Sequence, residues 1–250
     1  MAIPRKTLIS LSDTPYYHCV SRCVRKAFLC GDTYEHRRAW VEERLLKLAK
    51  VYCIDIAAYA VMSNHYHVLV EVPPKVKGAA VAMTDEDFLA KIKRLYSRPY
   101  YREIEQMLQR FRDTGSDKAA MELKAKYTCR MHDLSEFMKG LKQRFSQWFN
   151  RHHGRRGTLW EGRFKSVLVQ DGYAARVMAA YIDLNPIRAA MVERPEDYKW
   201  CSYGEAMKLK YNQKARAGLC RVLGMKEVAE GRDQEELSWE DGVAERCAPC

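Results

Sequence analysis

The chain has 250 residues, 43 Lys and Arg against 32 Asp and Glu, a formal net charge of +11 and a pI near 9.2. Apolar residues make up 47% and charged residues 30%, which excludes a disordered chain and leaves ample material for a buried core without disulfides or metal. The basic balance favours a polyanionic partner.

No apolar run approaches the roughly 20 residues of a membrane span, and Met1 to Lys6 leads into no apolar signal core. The nine cysteines are odd in number and scattered, several of them in apolar strands, so reduced thiols in a cytoplasmic protein are the expectation. Cys247-x-x-Cys250 has no second pair nearby and reads as part of a frayed tail.

Tyr16 to Arg22 (YYHCVSR) is aromatic and β-branched and reads as a strand. Glu35 to Lys50 carries Val41, Leu45, Leu48 and Ala49 at helical spacing. Ile54 to Met62 and His65 to Val72 form a β-hairpin around Ser63-Asn64, and Pro73-Pro74 ends it. Residues 75–132 are charge-mixed with patches of helical period at Phe88, Ile92 and Leu95, at Ile104, Leu108 and Phe111, and at Met121 and Leu123. They read as a helical insertion.

Asp133 to Glu136 resembles a capping box and opens a helix with Leu134, Phe137, Met138, Leu141, Phe145, Trp148 and Phe149 on one face. Residues 152–157 form a basic loop bounded by glycine. Trp160 to Gln170 reads as a fourth strand, and Asp171 as the cap of a helix over Gly172 to Leu184, stopped by Pro186. A short helical turn follows at Ile187 to Val192. The order β-α-β-β-(insertion)-α-β-α is that of an α+β, ferredoxin-like split βαβ sandwich with helices on one sheet face. Residues 226–250 hold eight acidic and three basic side chains and read as a mobile acidic tail.

Three features bear chemistry. In His65-Tyr66-His67, the period of two puts both imidazoles on one sheet face, where they suit a divalent metal or are polar residues flanking a turn. Tyr181 and Asn185 are spaced i, i+4: a phenol able to act as a covalent nucleophile and an amide oxygen able to bind metal, or else a core tyrosine and a C-capping asparagine before Pro186. Between Lys139 and Leu168 stand eight Lys and Arg and one acid, Glu161, interleaved with Phe145, Trp148, Phe149, Trp160 and Phe164. Basic groups for phosphates beside aromatics suit single-stranded nucleic acid.

Taken together, YYHCVSR at 16–22, AYAVMSNHYHVLVEV at 58–72, GTLWEGRFKSVLVQD at 157–171, YIDLNPIRAAMV at 181–192 and PEDYKWCSY at 195–203 resemble the single-tyrosine HUH transposases. They are most similar to the branch associated with repetitive extragenic palindromes. The resemblance covers residues 15–73 and 133–204. It implies an HUH endonuclease core over 1–74 and 133–204, a helical insertion at 75–132 and a C-terminal extension at 205–250.

The resemblance further implies cleavage and rejoining of single-stranded DNA, next to a hairpin, through a 5′-phosphotyrosine. Tyr181 corresponds to the nucleophile. His65 and His67 correspond to the pair that binds Mg²⁺ or Mn²⁺, and Asn185 to the third, amide-bearing ligand, where many relatives use Gln. Arg151, Arg155, Arg156, Arg163 and Lys165 are the candidates for DNA contacts. No G-x-x-x-x-G-K loop is present, so no nucleotide partner is expected; no membrane partner is expected either, and the chain is read as a monomer or homodimer. Ser63 stands where relatives often have Pro, and the insertion is the larger departure from the family. The alternatives are a catalytically silent nucleic-acid-binding domain of the same fold, a rolling-circle initiator-like nickase, and a His-based metallohydrolase acting on small phosphates.

Overall fold

The computed structural model describes residues 10, 13–30, 35–75, 83–170 and 172–207. Four strands form one sheet: β1 (Tyr16–Arg22), β2 (Asp55–Val61), β3 (His65–Glu71) and β4 (Lys165–Val169). Their order is β2-β3-β1-β4, and every neighbouring pair is antiparallel. β1 and β2 therefore run parallel with β3 between them, and β3 and β4 run parallel with β1 between them. These are the two interlocked split βαβ units of a ferredoxin-like fold, as the element order implies.

The crossover from β1 to β2 contains α1 (Glu35–Tyr52). Its Val41, Leu45, Leu48 and Ala49 stripe is buried, as the spacing predicts. Between β3 and β4 stand α2 (Asp85–Leu95), α3 (Arg98–Asp113), α4 (Asp117–Thr128) and α5 (Leu134–His152). Asp133 caps α5 by accepting from the Ser135 and Glu136 backbone N–H groups at 2.8 and 3.0 Å. Glu136 turns outward to Lys139 at 3.0 Å. After β4 come α6 (Tyr173–Asp183), the single turn α7 (Asn185–Arg188) and α8 (Ser202–Met207).

Alternation in the strands divides the core into two layers. Tyr17, Cys19, Tyr59, Val61, Tyr66, Val68 and Val70 pack with Leu45, Leu48, Phe137, Leu141 and Phe145 of α1 and α5. Tyr16, Ala58, Ala60 and Leu69 pack with Ala175, Ala179 and Ile182 of α6 and with Tyr198, Cys201 and Tyr203. Helices thus cover both faces, which corrects the expectation of helices on one face. The apolar face of α6 needs burial as much as those of α1 and α5 do, and the small residues Ala58 and Ala60 leave room for it on the opposite side.

The fourth strand is shorter than its pattern. Trp160 makes one isolated bridge to Cys23, and the ladder begins only at Lys165. The intervening residues form a loop, from which Trp160 and Phe164 both bury into the α5 layer. Helix α6 starts at Tyr173 with Gly172 before it at φ 64°; the expected cap, Asp171, lies outside the described residues. The short helical turn falls at Asn185–Arg188, earlier than its pattern.

Residues 195–203 seal the β2 edge. The Val61 N–H donates to the Trp200 carbonyl at 2.9 Å, and the Tyr198 hydroxyl donates to the Val61 carbonyl at 2.6 Å. Gly204 is required there: a Cβ would lie 2.1 Å from the Tyr198 carbonyl oxygen.

Helices α2 to α4 have a core of their own, formed by Phe88, Ile92, Ile104, Leu108, Ala120, Leu123 and Tyr127. Of the apolar positions read from the periodicity, Phe88, Ile92, Ile104, Leu108 and Leu123 form it and Phe111 packs against it, whereas Leu95 packs on the sheet core and Met121 is exposed; Ala120 and Tyr127 complete it. α2 packs on α1. The Lys91 ammonium donates to the Lys50 carbonyl at 2.9 Å and the Arg144 guanidinium to the Leu95 carbonyl at 3.0 Å.

Among the described residues, Cys19, Cys23, Cys30, Cys53, Cys129 and Cys201 are free thiols. The Cys247/Cys250 pair and the acidic tail at 226–250 lie outside the described residues. No helix among the described residues is long and apolar enough to cross a membrane.

Candidate active site

The candidate residues come from three elements. His65 and His67 lie at the start of β3, where the hairpin turn is closed by the Met62 N–H donating to the His65 carbonyl at 2.8 Å. Their rings share the sheet face covered by α6, with centroids 4.9 Å apart and planes at 74°. Tyr181, in the last turn of α6, stands edge-on to His67 with centroids 6.0 Å apart. The tyrosine and one histidine of the pair therefore meet within one chain, although 114 residues separate them in sequence.

Local hydrogen bonds fix the proton on His65. Asn64 Nδ2 donates to the Lys26 carbonyl at 3.2 Å, so its Oδ1 faces His65 and can only accept. His65 Nδ1 therefore carries the proton in the 2.6 Å bond to Asn64, and its Nε2 lone pair is available to a ligand. His67 Nδ1 lies 2.9 Å from Nε2 of His18 on β1, with the two ring planes within 11°.

Burial disfavours the imidazolium form of all three rings. It lowers the pKa of His18 to about 4. It lowers His65 to about 4, helped by the nearby Arg22 charge. It lowers His67 to about 3, with His65, His18 and Arg22 adding to the effect. The pair is thus neutral at physiological pH, the state a metal requires.

Asn185 sits half-buried at the start of α7, with its Nδ2 donating back to the Tyr181 carbonyl at 2.8 Å. The amide nitrogen acts as a C-cap for α6, and Oδ1 is the side-chain atom that suits a cation. Among the described residues, no group of three or more His, Cys, Asp and Glu side chains is disposed to hold a metal ion. The neutral imidazoles of His65 and His67 are donors that a divalent cation accepts, with positions left for oxygen ligands.

The Arg188 guanidinium lies over the Tyr181 ring, 5.3 Å from its centroid. Tyr181 is 38% exposed, open enough to meet a strand of DNA. Tyr173, two turns earlier on the same helix, is 71% exposed at the start of α6.

The five basic candidates are all exposed and fall in three places. Lys165 pairs with Val20, which pairs with His67, so Lys165 lies two strands from His67 on the same sheet face. Arg163 lines a groove of about 930 Å³ between α5 and residues 157–164, with Lys139, Lys142, Gln147, Asn150 and Trp160. The Asn150 amide donates to the Gly157 carbonyl at 2.8 Å and the Trp160 indole to the Lys142 carbonyl at 3.1 Å, fixing the groove wall. Arg151 ends α5, and Arg155 and Arg156 follow it in the loop.

Sequence reasoning missed His18, Asn64, Arg22 and Arg188. His18 lies within the YYHCVSR motif, but only the β1–β3 register reveals that it shares a face with His67. Arg188 lies two residues beyond a proline that obscures helical phase.

An antiparallel α+β sheet with a paired-histidine strand facing a tyrosine helix defines the class of this fold and site. Residues 12–115 match the family model described as "Transposase IS200 like", which bears out the family resemblance over the segment that carries the first two motifs. The matched segment contains His65 and His67 and ends before Tyr181 and Asn185. Among solved structures, the chain is similar to a REP-associated tyrosine transposase bound to a REP hairpin, with 14% identity and a TM-score of 0.48, over 86% of this chain and 90% of that one. None of the curated proteins compared with the chain matches it.

Proposed function

We propose that the protein is a metal-dependent single-tyrosine transposase that cleaves and rejoins single-stranded DNA at hairpin-containing sites. The observation that carries this reading is the placement of the Tyr181 ring against His67 within one chain. The Tyr181 phenol oxygen attacks a phosphodiester in line, the 3′-oxygen leaves, and the DNA 5′ end remains on the tyrosine as a phosphodiester. A second 3′-OH attacks that link and releases Tyr181, so no nucleotide hydrolysis is needed.

His65, His67 and the Asn185 oxygen are the residues that would hold Mg²⁺ or Mn²⁺. When bound, the ion would polarise the scissile phosphate. A neutral imidazole keeps one ring nitrogen free of a proton, which is the atom a metal ion needs. Arg188 places a cation beside the phenol, where negative charge develops as the proton leaves. Lys165 supplies a cation on the same face, and Arg151, Arg155, Arg156 and Arg163 extend the basic surface along the DNA. In this reading, residues 1–74 and 133–204 form the catalytic core and residues 75–132 an insertion that rests on it.

The test is an SDS-resistant protein–DNA adduct with hairpin-containing single-stranded DNA and Mn²⁺. The wild type forms it and Tyr181→Phe does not, while both bind the DNA. Binding without an adduct in the wild type sinks the enzyme reading and leaves a DNA-binding domain. Turnover of small phosphates indifferent to Tyr181→Phe points to a metallohydrolase.

A further inference from the structure

We infer that His18 is a positioning residue that sets the tautomer of His67, with His18 Nε2 accepting the proton of His67 Nδ1. The inference rests on the reading of His65 and His67 as a metal-binding pair, and it extends that reading to a third imidazole on a different strand.

The geometry is specific. His18 and His67 are diagonal neighbours across β1 and β3, since His18 pairs with Leu69 and Val20 with His67. Their nitrogens are 2.9 Å apart with ring planes within 11°, so one N–H points along the other's lone pair. Both side chains are more than nine-tenths buried, His18 at 8% and His67 at 7% exposure, and water does not compete freely for the bond.

A 2.9 Å contact between two neutral imidazoles has one proton between the facing nitrogens. If His18 Nε2 held it, His67 would be protonated on Nε2 and could not use that atom as a ligand. If His67 Nδ1 holds it, His67 Nε2 keeps its lone pair. The neighbouring histidine supplies the precedent within the same site, because Asn64 Oδ1 leaves His65 no choice but the Nδ1–H form. His18 does for His67 what Asn64 does for His65: each ligand ring gives its Nδ1 proton to a buried or half-buried acceptor and retains Nε2. The two rings then present the same nitrogen from one sheet face.

The experiment is ¹⁵N–¹H correlation NMR of metal-free protein at about pH 7.5, which distinguishes the two neutral tautomers, together with Mn²⁺ titration by calorimetry. Wild-type His67 is expected in the Nδ1–H form. His18→Ala is expected to lose that tautomer preference and to bind Mn²⁺ about 10- to 100-fold more weakly. His18→Gln, whose amide oxygen can accept the same proton, is expected to recover most of both, which separates positioning from a folding defect. An Nε2–H tautomer of His67 in the wild type overturns the inference, and so does a His18→Ala protein with unchanged tautomer and unchanged affinity. A wild type without Mn²⁺ affinity overturns the metal reading instead, while the tautomer measurement still decides the role of His18.

Discussion

The Tyr181 ring and the His67 imidazole belong to one chain and meet at right angles, with centroids 6.0 Å apart and planes at 81°. The approach is held from behind by Asp183, two residues on. Its buried carboxylate accepts from the Ser202 hydroxyl at 2.7 Å and from the Tyr203 N–H at 3.2 Å, and Ser202 Oγ also accepts from the Tyr59 N–H of β2. The end of the tyrosine helix is thereby fastened to the sheet that carries the histidines.

That fastening predicts that Tyr181 acts on the site of its own chain. Tyr181→Phe and His67→Ala proteins, mixed in equal amounts, should form no more DNA adduct than either alone. Recovery toward about a quarter of the wild-type level, the share random pairing leaves with one intact tyrosine and one intact histidine pair, would show that the tyrosine reaches the histidines of a second copy. Gel quantification of the adduct decides between these.

Asp183 itself should be sensitive to small changes. Asp183→Ala leaves the Ser202 and Tyr203 donors without their buried acceptor, at a cost of about 1 to 3 kcal/mol. Asp183→Asn keeps one acceptor oxygen and should be the milder change. Thermal melting should rank them wild type, Asn, Ala, and adduct yield should follow the same order, because a loosened α6 end removes Tyr181 from His67.

The histidine environment makes a pH prediction. Burial holds His18 and His65 near pKa 4 and His67 near 3, below the value of about 6.5 they adopt when unfolded. The unfolded chain therefore takes up protons below about pH 6.5 that the folded chain refuses, and stability falls as pH drops from about 6.5 toward 4. Metal binding should behave differently from that of ordinary histidines. Two imidazoles at about 6.5 would each drop about tenfold in ligand availability at about pH 5.5, whereas this pair stays neutral. Mn²⁺ affinity at about pH 5.5 should remain within about threefold of that at about pH 7.5, as calorimetry can check. A drop of about a hundredfold would mean that the rings are solvated.

Much of this arrangement was legible in the sequence because alternation and helical period report burial directly. β1 coincides with its motif, α1 and α5 begin where their patterns do, and His65 and His67 share a face as period two requires. What the sequence did not carry is relational. That α6 covers the face opposite α1 and α5 follows from how two split βαβ units close, which no local pattern reports. That His18 meets His67 depends on the β1–β3 register, set by the whole sheet. The overlong fourth strand has a local cause: Trp160 and Phe164 are strand-like residues whose burial is served by a loop.

The basic surface makes a salt prediction. Each phosphate that is no longer neutralised should lower the slope of log affinity against log salt by about 0.7 on single strands and about 0.9 on duplex. Arg155→Ala with Arg156→Ala, on the loop after α5, and Arg163→Ala, in the groove wall, should each flatten the slope on a hairpin substrate. Lys165→Ala should weaken adduct formation more than binding, since it shares the face of His67. A slope unchanged in all four substitutions would remove this surface from the DNA path.

The three helices between β3 and α5 provide the last prediction, and it concerns how separable they are from the catalytic core. Phe88 is fully buried among Ile92, Ile104, Leu108, Ala120, Leu123 and Tyr127, and none of these belongs to the two layers that pack on the sheet. Truncating a buried phenylalanine costs about 3 to 5 kcal/mol, more than a small core of this kind can readily absorb. The attachments to the rest of the chain include the packing of α2 on α1, Leu95 at the edge of the sheet core and single hydrogen bonds such as Lys91 to the Lys50 carbonyl, so disruption at Phe88 has little leverage on the sheet. Phe88→Ala should therefore raise amide hydrogen exchange across residues 85–128 while leaving β1, β3 and α6 protected and the adduct with Tyr181 intact. Deprotection of β3 at the same time would show that the insertion and the core fold as one cooperative unit, and that the histidine strand depends on the helices that interrupt the motif.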